Sequence, residues 1–355
     1  MPKSNQMQAV IFHGPKDLRL EWVERPTPAA GEIVVKVEAA LTCGTDFKAY
    51  RQGHPVLLNH RLPSPFGHEV SGRVFEMGED VKKFEIGQAV VVANSAPCDQ
   101  CYFCRHDKPN LCENIFLLNG AYAQFILVPQ HIVKHNVYPL RDSTSFKAAA
   151  MTEPLACVVR ATSEMNLKKK QTLIVLGCGY MGLLFTQLAK AAGATVIAIG
   201  RSTEKLEQAK SLGADHVLSV LNNKDYLKEA LALTPEGRGA DAVVEAVGQP
   251  ETWQEALKLV RKGGQICLYG GCKKGLAFEI DCHRMHYEEL KIFGVFHHTP
   301  KHFKKALGFI EDGVIDTDFL IRGSVRLADL PKFYADHVDK PFHKTLVECS
   351  SQGNK

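Results

Sequence analysis

The amino-acid sequence predicts an α/β protein in which a doubly wound parallel sheet is joined to a β-rich domain. Three observations support this prediction. From Thr172 onward, apolar runs of strand length alternate with segments of helical spacing, which is the pattern of successive βαβ units. Residues 1 to about 150 instead show short alternating strands between Gly and Pro turns. The chain of 355 residues is also too long for one ordinary core, and two domains are therefore expected.

The β-rich domain is predicted over residues 1–152. Its strands include Gln8–Phe12, Glu32–Val37 and Ala89–Val92, and their alternation predicts a small β-barrel or sandwich. The tail, residues 299–355, is predicted to hold one helix and a few strands and to return to this domain. The β-rich domain would then be discontinuous in sequence.

The parallel-sheet domain is predicted over residues 153–298. A helical pattern covers Glu153–Leu167. The six predicted strands are Thr172–Leu176, Thr195–Ile199, His216–Val220, Ala242–Val247, Gln265–Tyr269 and Leu290–Phe296. The predicted helices after the first two strands are Tyr180–Ala192 and Thr203–Leu212. Six strands with intervening helices fit a doubly wound sheet.

Composition and charge argue against several classes of partner. The formal net charge of +4 is small for this length, so neither nucleic acid nor an anionic membrane is expected as the main partner. No apolar stretch follows Met1 as in a signal peptide, and the longest apolar stretch is a poor membrane span. Eleven cysteines then favour a reducing compartment and metal ligation over disulfides. We expect a cytoplasmic protein with a small-molecule substrate.

A glycine turn lies between the first predicted parallel strand and its helix, and it reads Gly177-Cys178-Gly179-Tyr180-Met181-Gly182. Glycines at this spacing let the backbone approach a pyrophosphate, and the helix N-terminus offers free N–H groups and a positive dipole end. The alternative is a tight strand–helix turn without a ligand. The βαβ context favours a dinucleotide site that includes Tyr180 and Met181.

The end of the second parallel strand bears on which dinucleotide binds. An Asp or Glu there recognises the adenosine 2′-hydroxyl of NAD, but this chain has Gly200 followed by Arg201 and Ser202. Arg201 could bind a 2′-phosphate bidentately, and Ser202 and Lys205 could add contacts. NADP is therefore favoured over NAD. The alternative is that Arg201 is a solvated loop residue and Ser202 only caps the next helix.

Four cysteines form the pattern C-x2-C-x2-C-x7-C at Cys98, Cys101, Cys104 and Cys112. Four thiolates close the tetrahedral shell of zinc, which indicates a structural site. The alternatives are four unrelated cysteines or a nucleic-acid zinc ribbon, which usually has two separated C-x2-C pairs. The loop is therefore interpreted as a stabilising zinc clip.

A second set of candidate ligands mixes residue types: Cys43, His68, Glu69 and Glu153. Three protein ligands with an open position define a catalytic zinc. Each residue alone is more simply explained by packing or a turn, but together, beside a closed zinc site and a cofactor fold, they favour a metal centre. Asp46, which is not itself a predicted ligand, could orient the His68 imidazole by contacting it on the side away from the metal. The Thr45 hydroxyl, two residues after Cys43, could pass on a proton from an alcohol bound to such a zinc.

The chain resembles the zinc-dependent medium-chain dehydrogenase/reductase superfamily over essentially its whole length, and best its polyol branch of sorbitol and threonine dehydrogenase-like proteins. The resemblance lies in Cys43-Gly44-Thr45-Asp46, Gly67-His68-Glu69, Glu153-Pro154-Leu155 and Gly120-Ala121-Tyr122-Ala123-Gln124-Phe125. It implies a GroES-like β-barrel catalytic domain and a Rossmann domain. By the same resemblance Cys43, His68 and Glu153 bind catalytic zinc, and Glu69 binds it directly or through water.

The resemblance also assigns roles outside the ligand set. Thr45 would relay the proton, and Tyr50 would line the substrate pocket. Two departures concern the details. Lys48 stands where many members have a relay histidine, and it would be the outer proton carrier here. His297-His298 follows Gly294-Val295-Phe296 where polyol dehydrogenases often have Arg-Tyr, so the substrate need not be sorbitol, and a loop or a pocket role for this pair stays open.

The predicted function is that of a zinc-dependent oxidoreductase that transfers hydride between a secondary alcohol or polyol, or its ketone, and NADP(H). Val247, Gly270 and Phe296 complete the predicted cofactor-binding residues. The alternatives are a primary-alcohol dehydrogenase or aldehyde reductase, and a non-catalytic NADP-binding protein of structural or sensing function. Two zinc ions per chain are expected. The resemblance further implies a homo-oligomer, dimer or tetramer, joined near the strand that ends at Phe296.

Overall fold

The structure is a computed structural model that describes residues 5–54, 58, 60–340 and 343–350. Two compact units are present. The first comprises Met1–Ala156 and His298–Lys355, and the second comprises Cys157–His297. In the described part of the chain no helix combines the length and the apolar character needed to cross a membrane.

The first unit is built mainly on antiparallel strands, with one parallel pair near its C-terminal end. They are β1 (Gln6–Gly14), β2 (Asp17–Glu24), β3 (Ile33–Leu41), β4 (Ser64–Pro65), β5 (Val70–Met77), β6 (Ala89–Val92), β7 (Ser95–Ala96), β8 (Phe116–Leu117), β9 (Phe125–Val128), β10 (Val137–Pro139), β17 (Ile321–Arg326) and β18 (Lys344–Glu348). The largest sheet has the order β10-β6-β5-β3-β18-β17, and β9 also pairs with β3. Most residues of β3 are buried, which fits its central position.

The helices of the first unit connect these strands. They are α1 (Gly44–Gln52), α2 (Tyr102–Arg105), α3 (Gln130–Asn136), α4 (Phe146–Ala149), the start of α5 (Thr152–Met165), α11 (Pro300–Glu311), α12 (Thr317–Leu320) and α13 (Leu330–His337). The prediction of one helix in the tail is therefore wrong. Besides α11, the four-residue α12 is capped by Asp316, and α13 buries Leu330 and Tyr334 one turn apart. Helices this short leave little periodicity for a sequence reading to detect.

The second unit confirms the predicted doubly wound sheet. Its strands β11 (Thr172–Leu176), β12 (Thr195–Gly200), β13 (His216–Ser219), β14 (Ala240–Glu245), β15 (Val260–Leu268) and β16 (Lys291–Gly294) are all parallel, in the order β13-β12-β11-β14-β15-β16. Its helices are the rest of α5, then α6 (Tyr180–Ala191), α7 (Thr203–Ser211), α8 (Tyr226–Ala232), α9 (Pro250–Leu259) and α10 (Cys282–Tyr287). The strand order reverses between β11 and β14, and ligands bind such sheets at the carboxyl ends of strands beside this reversal.

Candidate active site

The three residues at the centre of the first unit's candidate site come from two neighbouring strands. Cys43 follows β3 and caps α1, where its thiol accepts a hydrogen bond from the Thr45 N–H at 3.4 Å. His68 and Glu69 directly precede β5, which pairs with β3. One ligand atom each of Cys43, His68 and Glu69 lies within 4.8 Å of the others. The structure thus brings together three of the predicted metal-binding residues.

Asp46 fixes the orientation of His68. The His68 Nδ1 lies 2.9 Å from the Asp46 Oδ1, and both side chains are almost fully buried. A carboxylate oxygen only accepts, so Nδ1 carries the proton and Nε2 is left to bind a metal. Burial acts to lower the pKa of His68, but Asp46 and Cys43 outweigh it and hold that pKa well above its usual value. A metal at this site must therefore compete with a proton for the imidazole.

Glu69 has a buried partner that the sequence analysis missed. The Lys344 ammonium lies 2.6 and 2.7 Å from the two Glu69 carboxylate oxygens, and both side chains are at most 1% exposed. Burial acts to lower the pKa of Lys344, but the Glu69 carboxylate outweighs it and raises that pKa. Lys344 comes from β18, and no local motif marks it. Only its pairing across the sheet could have revealed this contact.

Glu153 lies in the first turn of α5 and is 7% exposed. Its pKa is raised to about 7: burial is the main cause, His68 opposes the rise and Glu69 adds to it. Glu153 is therefore within electrostatic reach of His68 and Glu69, although it is not one of the three residues grouped around Cys43. The His298 Nε2 lies 3.6 Å from the Glu153 Oε1.

The sequence left open whether His298 is an exposed loop residue or lines a pocket. Because His298 is buried, the exposed-loop role does not apply. Its side chain is inaccessible to solvent, and its Nε2 lies 3.0 Å from the Asn94 Oδ1. Asn94 is itself only 6% exposed. Asn94, His298 and Glu153 therefore form a buried polar group within the first unit.

The remaining residues predicted for catalysis lie on α1, and the structure separates them. Thr45 and Lys48 are exposed on this helix. Tyr50 is 4% exposed in the hydrophobic core, where its hydroxyl donates to the Lys16 carbonyl at 3.3 Å and its ring meets Tyr334 edge-on. The structure does not group Tyr50 with the metal-ligating residues, and its pocket role stays a prediction.

The four cysteines of the loop converge. One Sγ atom from each lies within 4.8 Å of the others, with Cys101 and Cys112 buried. The backbone N–H groups of Gln100 and Cys101 lower the pKa of Cys98 to about 6, whereas burial raises the pKa of Cys104 to about 12. A set of four thiols at this separation suits tetrahedral zinc.

The glycine turn in the second unit has the close contacts that a dinucleotide site requires. Gly177 has a φ of +103°, and a Cβ at Gly182 would meet the Gly177 carbonyl oxygen at 1.9 Å. A Cβ at Gly179 would meet nothing within 4 Å. Gly179 is the N-cap of α6, so the N-terminus of this helix begins at the turn. Such a cradle fits a pyrophosphate, and Tyr180 and Met181, half-buried, form the start of α6.

The end of β12 carries the residues predicted to select the cofactor. Gly200 is buried, and a Cβ there would meet the Cys178 Sγ at 3.0 Å. Arg201 is exposed, and Ser202 caps α7 by accepting from the Lys205 N–H at 3.4 Å. The capping alternative for Ser202 is thus observed, while the Arg201 guanidinium stands in solvent beside the turn.

The remaining predicted cofactor residues follow the carboxyl ends of three strands. Val247 is 48% exposed and follows β14, and its Cγ2 would meet a Cβ at Gly177 at 2.8 Å. Gly270 follows β15, and Phe296, which is 66% exposed, follows β16. All of them are at the edge of the sheet where such folds bind ligands.

Glu245, at the end of β14, is a second residue that the sequence analysis missed. Its buried carboxylate accepts hydrogen bonds from the Val247 and Gly248 N–H groups at 2.8 to 3.1 Å, and from the Thr252 hydroxyl at 2.7 Å. These bonds hold the turn that presents Val247. An acidic residue at the end of a buried strand was the available signal.

Comparison with known proteins agrees with this geometry. Residues 29–139 match the model of the alcohol dehydrogenase GroES-like domain, and residues 181–312 match that of the zinc-binding dehydrogenases. The chain is 30% identical to the sorbitol dehydrogenase of Bacillus subtilis over 323 residues, 89% of each protein. It is also 30% identical to the erythritol/L-threitol dehydrogenase of Mycolicibacterium smegmatis, over 92% of this chain and 93% of that protein.

A solved structure gives the same result for the fold. A Sinorhizobium meliloti protein described as a zinc-binding dehydrogenase, bound to NADP, has a TM-score of 0.88 and 27% sequence identity, and the match covers 97% of this chain and 99% of that one. The antiparallel first unit and the parallel second unit are therefore a GroES-like and a Rossmann-like domain. The chain belongs to the zinc-dependent medium-chain dehydrogenase/reductase superfamily, and it is an oxidoreductase of the zinc-type alcohol and polyol dehydrogenases.

Proposed function

We propose that this protein transfers hydride between a secondary alcohol or polyol, or the corresponding ketone, and NADP(H). The observation that carries the proposal is the group of a half-buried thiol, a buried imidazole and a buried carboxylate at Cys43, His68 and Glu69. The imidazole of this group is held in a metal-binding tautomer by Asp46. Soft and borderline ligands in this combination suit zinc.

Cys43, His68 and Glu153 would hold the catalytic zinc, which when bound acts as a Lewis acid towards a substrate oxygen. Lys344 neutralises the Glu69 carboxylate, which makes Glu69 a weaker metal ligand than a free carboxylate. Glu69 would therefore act as a facultative ligand. Cys98, Cys101, Cys104 and Cys112 would hold a second, structural zinc, which gives two per chain.

The proton of the substrate hydroxyl would leave by way of α1. The Thr45 hydroxyl, two residues from Cys43, would accept this proton while it donates its own to the cofactor ribose. Lys48, one helical turn further on and exposed, would take up a proton from this relay as it releases one to water. Both side chains are well placed for exchange with water because both are exposed.

The cofactor would lie along the carboxyl edge of the parallel sheet, with its pyrophosphate at Gly177, Gly179 and Gly182. NADP supplies the hydride acceptor when bound. Three features favour NADP over NAD. Gly200 offers no carboxylate to repel a 2′-phosphate, Arg201 offers an exposed guanidinium, and Lys205 adds positive charge nearby.

The cofactor assignment is tested by Arg201→Ala. We expect its Kd for NADPH to rise at least about tenfold, the equivalent of about 1.4 kcal/mol, while its Kd for NADH changes little. Fluorescence titration of both cofactors measures this. Equal losses for the two cofactors would place Arg201 outside 2′-phosphate recognition and would favour NAD.

A polyhydroxylated substrate is favoured by the buried polar group around Glu153, because Asn94 and His298 add hydrogen-bonding atoms beside it. The sorbitol and erythritol/L-threitol dehydrogenases that the chain resembles bear names of this substrate class. By the family resemblance, polyol dehydrogenases often have Arg-Tyr where this chain has His297-His298, so its polyol need not be either of those named.

The activity is tested on zinc-loaded protein with a panel of polyols, inositols, amino alcohols and simple primary alcohols. Nicotinamide absorbance is followed with NADP and NAD in parallel. We expect turnover of a secondary-alcohol polyol with NADP, abolished by Cys43→Ala in a protein that still folds. Turnover of primary alcohols alone would favour an alcohol or aldehyde reductase. NADPH binding without turnover across the panel would favour a non-catalytic function.

A homo-oligomer is also proposed, with contact through β16. This strand ends the six-stranded sheet, so one side of its backbone is left without a partner strand within the sheet. Analytical ultracentrifugation should give a mass that is a multiple of the 39.3 kDa chain. A monomer at micromolar concentration would contradict the proposal.

A further inference from the structure

Two tyrosines far apart in sequence extend the hydrogen bonding behind His68. Tyr122 precedes β9, and Tyr334 lies in α13, in the C-terminal part of the first unit. Both side chains are fully buried, as are Asp46 and nearly all of His68. Neither of the two sets of predicted metal ligands includes a tyrosine.

The distances define a continuous chain of hydrogen bonds. The Tyr122 hydroxyl oxygen lies 2.6 Å from the Asp46 Oδ2, 3.0 Å from the Tyr334 hydroxyl oxygen and 3.1 Å from the Leu41 carbonyl oxygen. The other carboxylate oxygen of Asp46 accepts from the His68 Nδ1 at 2.9 Å. Each oxygen of the Asp46 carboxylate thus has its own donor.

The direction of these bonds follows from the proton count. Tyr122 has a single hydroxyl proton, and the Asp46 carboxylate can only accept, so this proton is donated to the Asp46 Oδ2 at the shortest of the three distances. Tyr334 must then donate to Tyr122. Burial raises the pKa of both tyrosines well above the ordinary value, and Asp46 raises it further, so both remain protonated donors.

We propose that Tyr122 and Tyr334 are positioning residues for the catalytic metal, acting through Asp46 on His68. Tyr334 orients the Tyr122 hydroxyl, and Tyr122 holds the Asp46 carboxylate in register with the His68 Nδ1–H. The His68 Nδ1 thereby keeps its proton, and Nε2 is the ring nitrogen left for a metal. This inference rests on the proposed catalytic zinc site.

A buried carboxylate that loses a donor is less stable in its charged form, and an imidazole that loses its partner is free to change its tautomer and rotate. Tyr122→Phe keeps the ring in the aromatic core formed with Phe66 and Tyr334 and removes only the hydroxyl. Outer partners of metal ligands typically change metal affinity about 10- to 100-fold. We therefore expect the zinc affinity of the catalytic site to fall by that factor.

The test uses the zinc-loaded full chain. Zinc per chain is counted after equilibration with increasing concentrations of a competing chelator, so that the four-cysteine site of the same molecule is the internal reference. Tyr122→Phe should release one zinc at about 10- to 100-fold lower chelator activity than the unchanged protein and leave the other zinc unaffected. Tyr334→Phe should show a smaller effect. The double variant should match Tyr122→Phe, because Tyr334 acts through Tyr122.

Tyr138→Phe is the matched control. Its hydroxyl also bonds backbone carbonyls within the first unit, those of His135 and Pro300, but it has no link to Asp46. This control should leave both zinc affinities unchanged. A merely structural role for Tyr122 would instead weaken both sites together or neither.

Three results would overturn the inference: unchanged zinc release in Tyr122→Phe, equal weakening of both sites, or additive effects in the double variant. Any of these leaves the proposed function intact if the unchanged protein binds two zinc ions. If the unchanged protein retains only the four-cysteine zinc, the proposed catalytic site itself is refuted and this inference with it.

Discussion

The buried ammonium of Lys344 shows how strongly one residue depends on its partner. Nothing in the sequence around residue 344 distinguishes this lysine from those on the surface. Its contact with Glu69 exists because β3 pairs with both β18, which carries Lys344, and β5, which follows Glu69. The two side chains therefore meet in one buried space. Removing either charge leaves the other one buried without compensation.

Lys344→Met tests this dependence. We expect the free energy of unfolding of the metal-free protein to fall by about 3–5 kcal/mol, because the Glu69 carboxylate would be left unpaired. Denaturant unfolding measures the change. The control is Lys332→Met, which breaks an ion pair with Asp336 on a side chain that is 80% exposed. That variant should leave the stability almost unchanged, because an ion pair in solvent contributes little.

Adding Glu69→Gln to Lys344→Met should recover part of the loss, since it removes the stranded charge. If Lys344→Met were no more destabilising than Lys332→Met, Glu69 would be neutral in the folded protein and the ion pair would not form.

At the scale of an element, helix α6 shows two glycines with different functions. Gly182 is required by packing, because a Cβ there would overlap the Gly177 carbonyl oxygen. Gly179 faces open space and has a φ of −69°, which any residue adopts. The absence of a side chain at Gly179 is needed only if a ligand such as the cofactor pyrophosphate approaches the turn.

Alanine at each position should therefore separate folding from binding. Gly182→Ala should lower the free energy of unfolding by about 2 kcal/mol through overpacking. Gly179→Ala should change it by less than about 0.5 kcal/mol but raise the Kd for NADPH at least about tenfold. Thermal unfolding and fluorescence titration of both variants measure the two effects. NADPH binding by Gly179→Ala as tight as that of the unchanged protein would show that the cofactor does not lie on this turn.

The start of β12 gives a pH-dependent prediction. The Asp215 carboxylate accepts from the Lys190 ammonium at 2.8 and 3.0 Å and from the Val196 N–H at 2.7 Å. Burial acts to raise the pKa of Asp215, but these hydrogen bonds outweigh it and hold the pKa below 3.8. A folded pKa below the unfolded one gives stability that is present above the unfolded pKa and is lost as the pH falls through the folded pKa.

Asp215→Asn should accordingly cost about 1 kcal/mol at pH 7, since the side chain is 37% exposed and partly screened. The difference from the unchanged protein should shrink steadily below about pH 4. Unfolding by urea at a series of pH values tests this. A difference that stayed constant down to pH 2 would assign the effect to packing and not to charge.

For the whole molecule, the two metal-ligand sets predict separable consequences of metal loss. The four thiols of the cysteine loop converge, so a zinc bound to them would cross-link the loop and contribute to folding. The set around Cys43 is preorganised by Asp46 and Lys344 contacts that do not involve a metal. Loss of its zinc should therefore affect catalysis more than stability.

Metal analysis with calorimetry checks this separation. The unchanged chain should hold two zinc ions. Cys98→Ser with Cys101→Ser should hold one and unfold at a temperature lower by several degrees, roughly 2–4 °C for each kcal/mol lost. Cys43→Ala should also hold one, keep its unfolding temperature within about 2 °C, and lose turnover. Equal thermal effects of the two variants would contradict the division into a structural and a catalytic site.

Local patterns in the sequence sufficed for the parallel sheet, the glycine turn and the four-cysteine loop. Each of these features is encoded by residues close together in sequence, because strand alternation, helix capping and C-x2-C spacing involve neighbours along the chain. The strand Thr172–Leu176 has the predicted bounds, and the four thiols converge as expected. The short helices of the tail and the buried position of Tyr50 did not follow from such patterns.

What the sequence by itself determined is the fold class, the family and the candidate metal-ligating residues, since these depend on residue order. Only the tertiary structure decided that Lys344 neutralises Glu69, that His298 is buried beside Glu153, and that Tyr122 and Tyr334 stand behind Asp46. These contacts join residues up to 275 positions apart. The physical reason is that a buried polar group is satisfied by whichever partner the packing of strands and helices places within hydrogen-bonding distance, and sequence separation has no part in that distance.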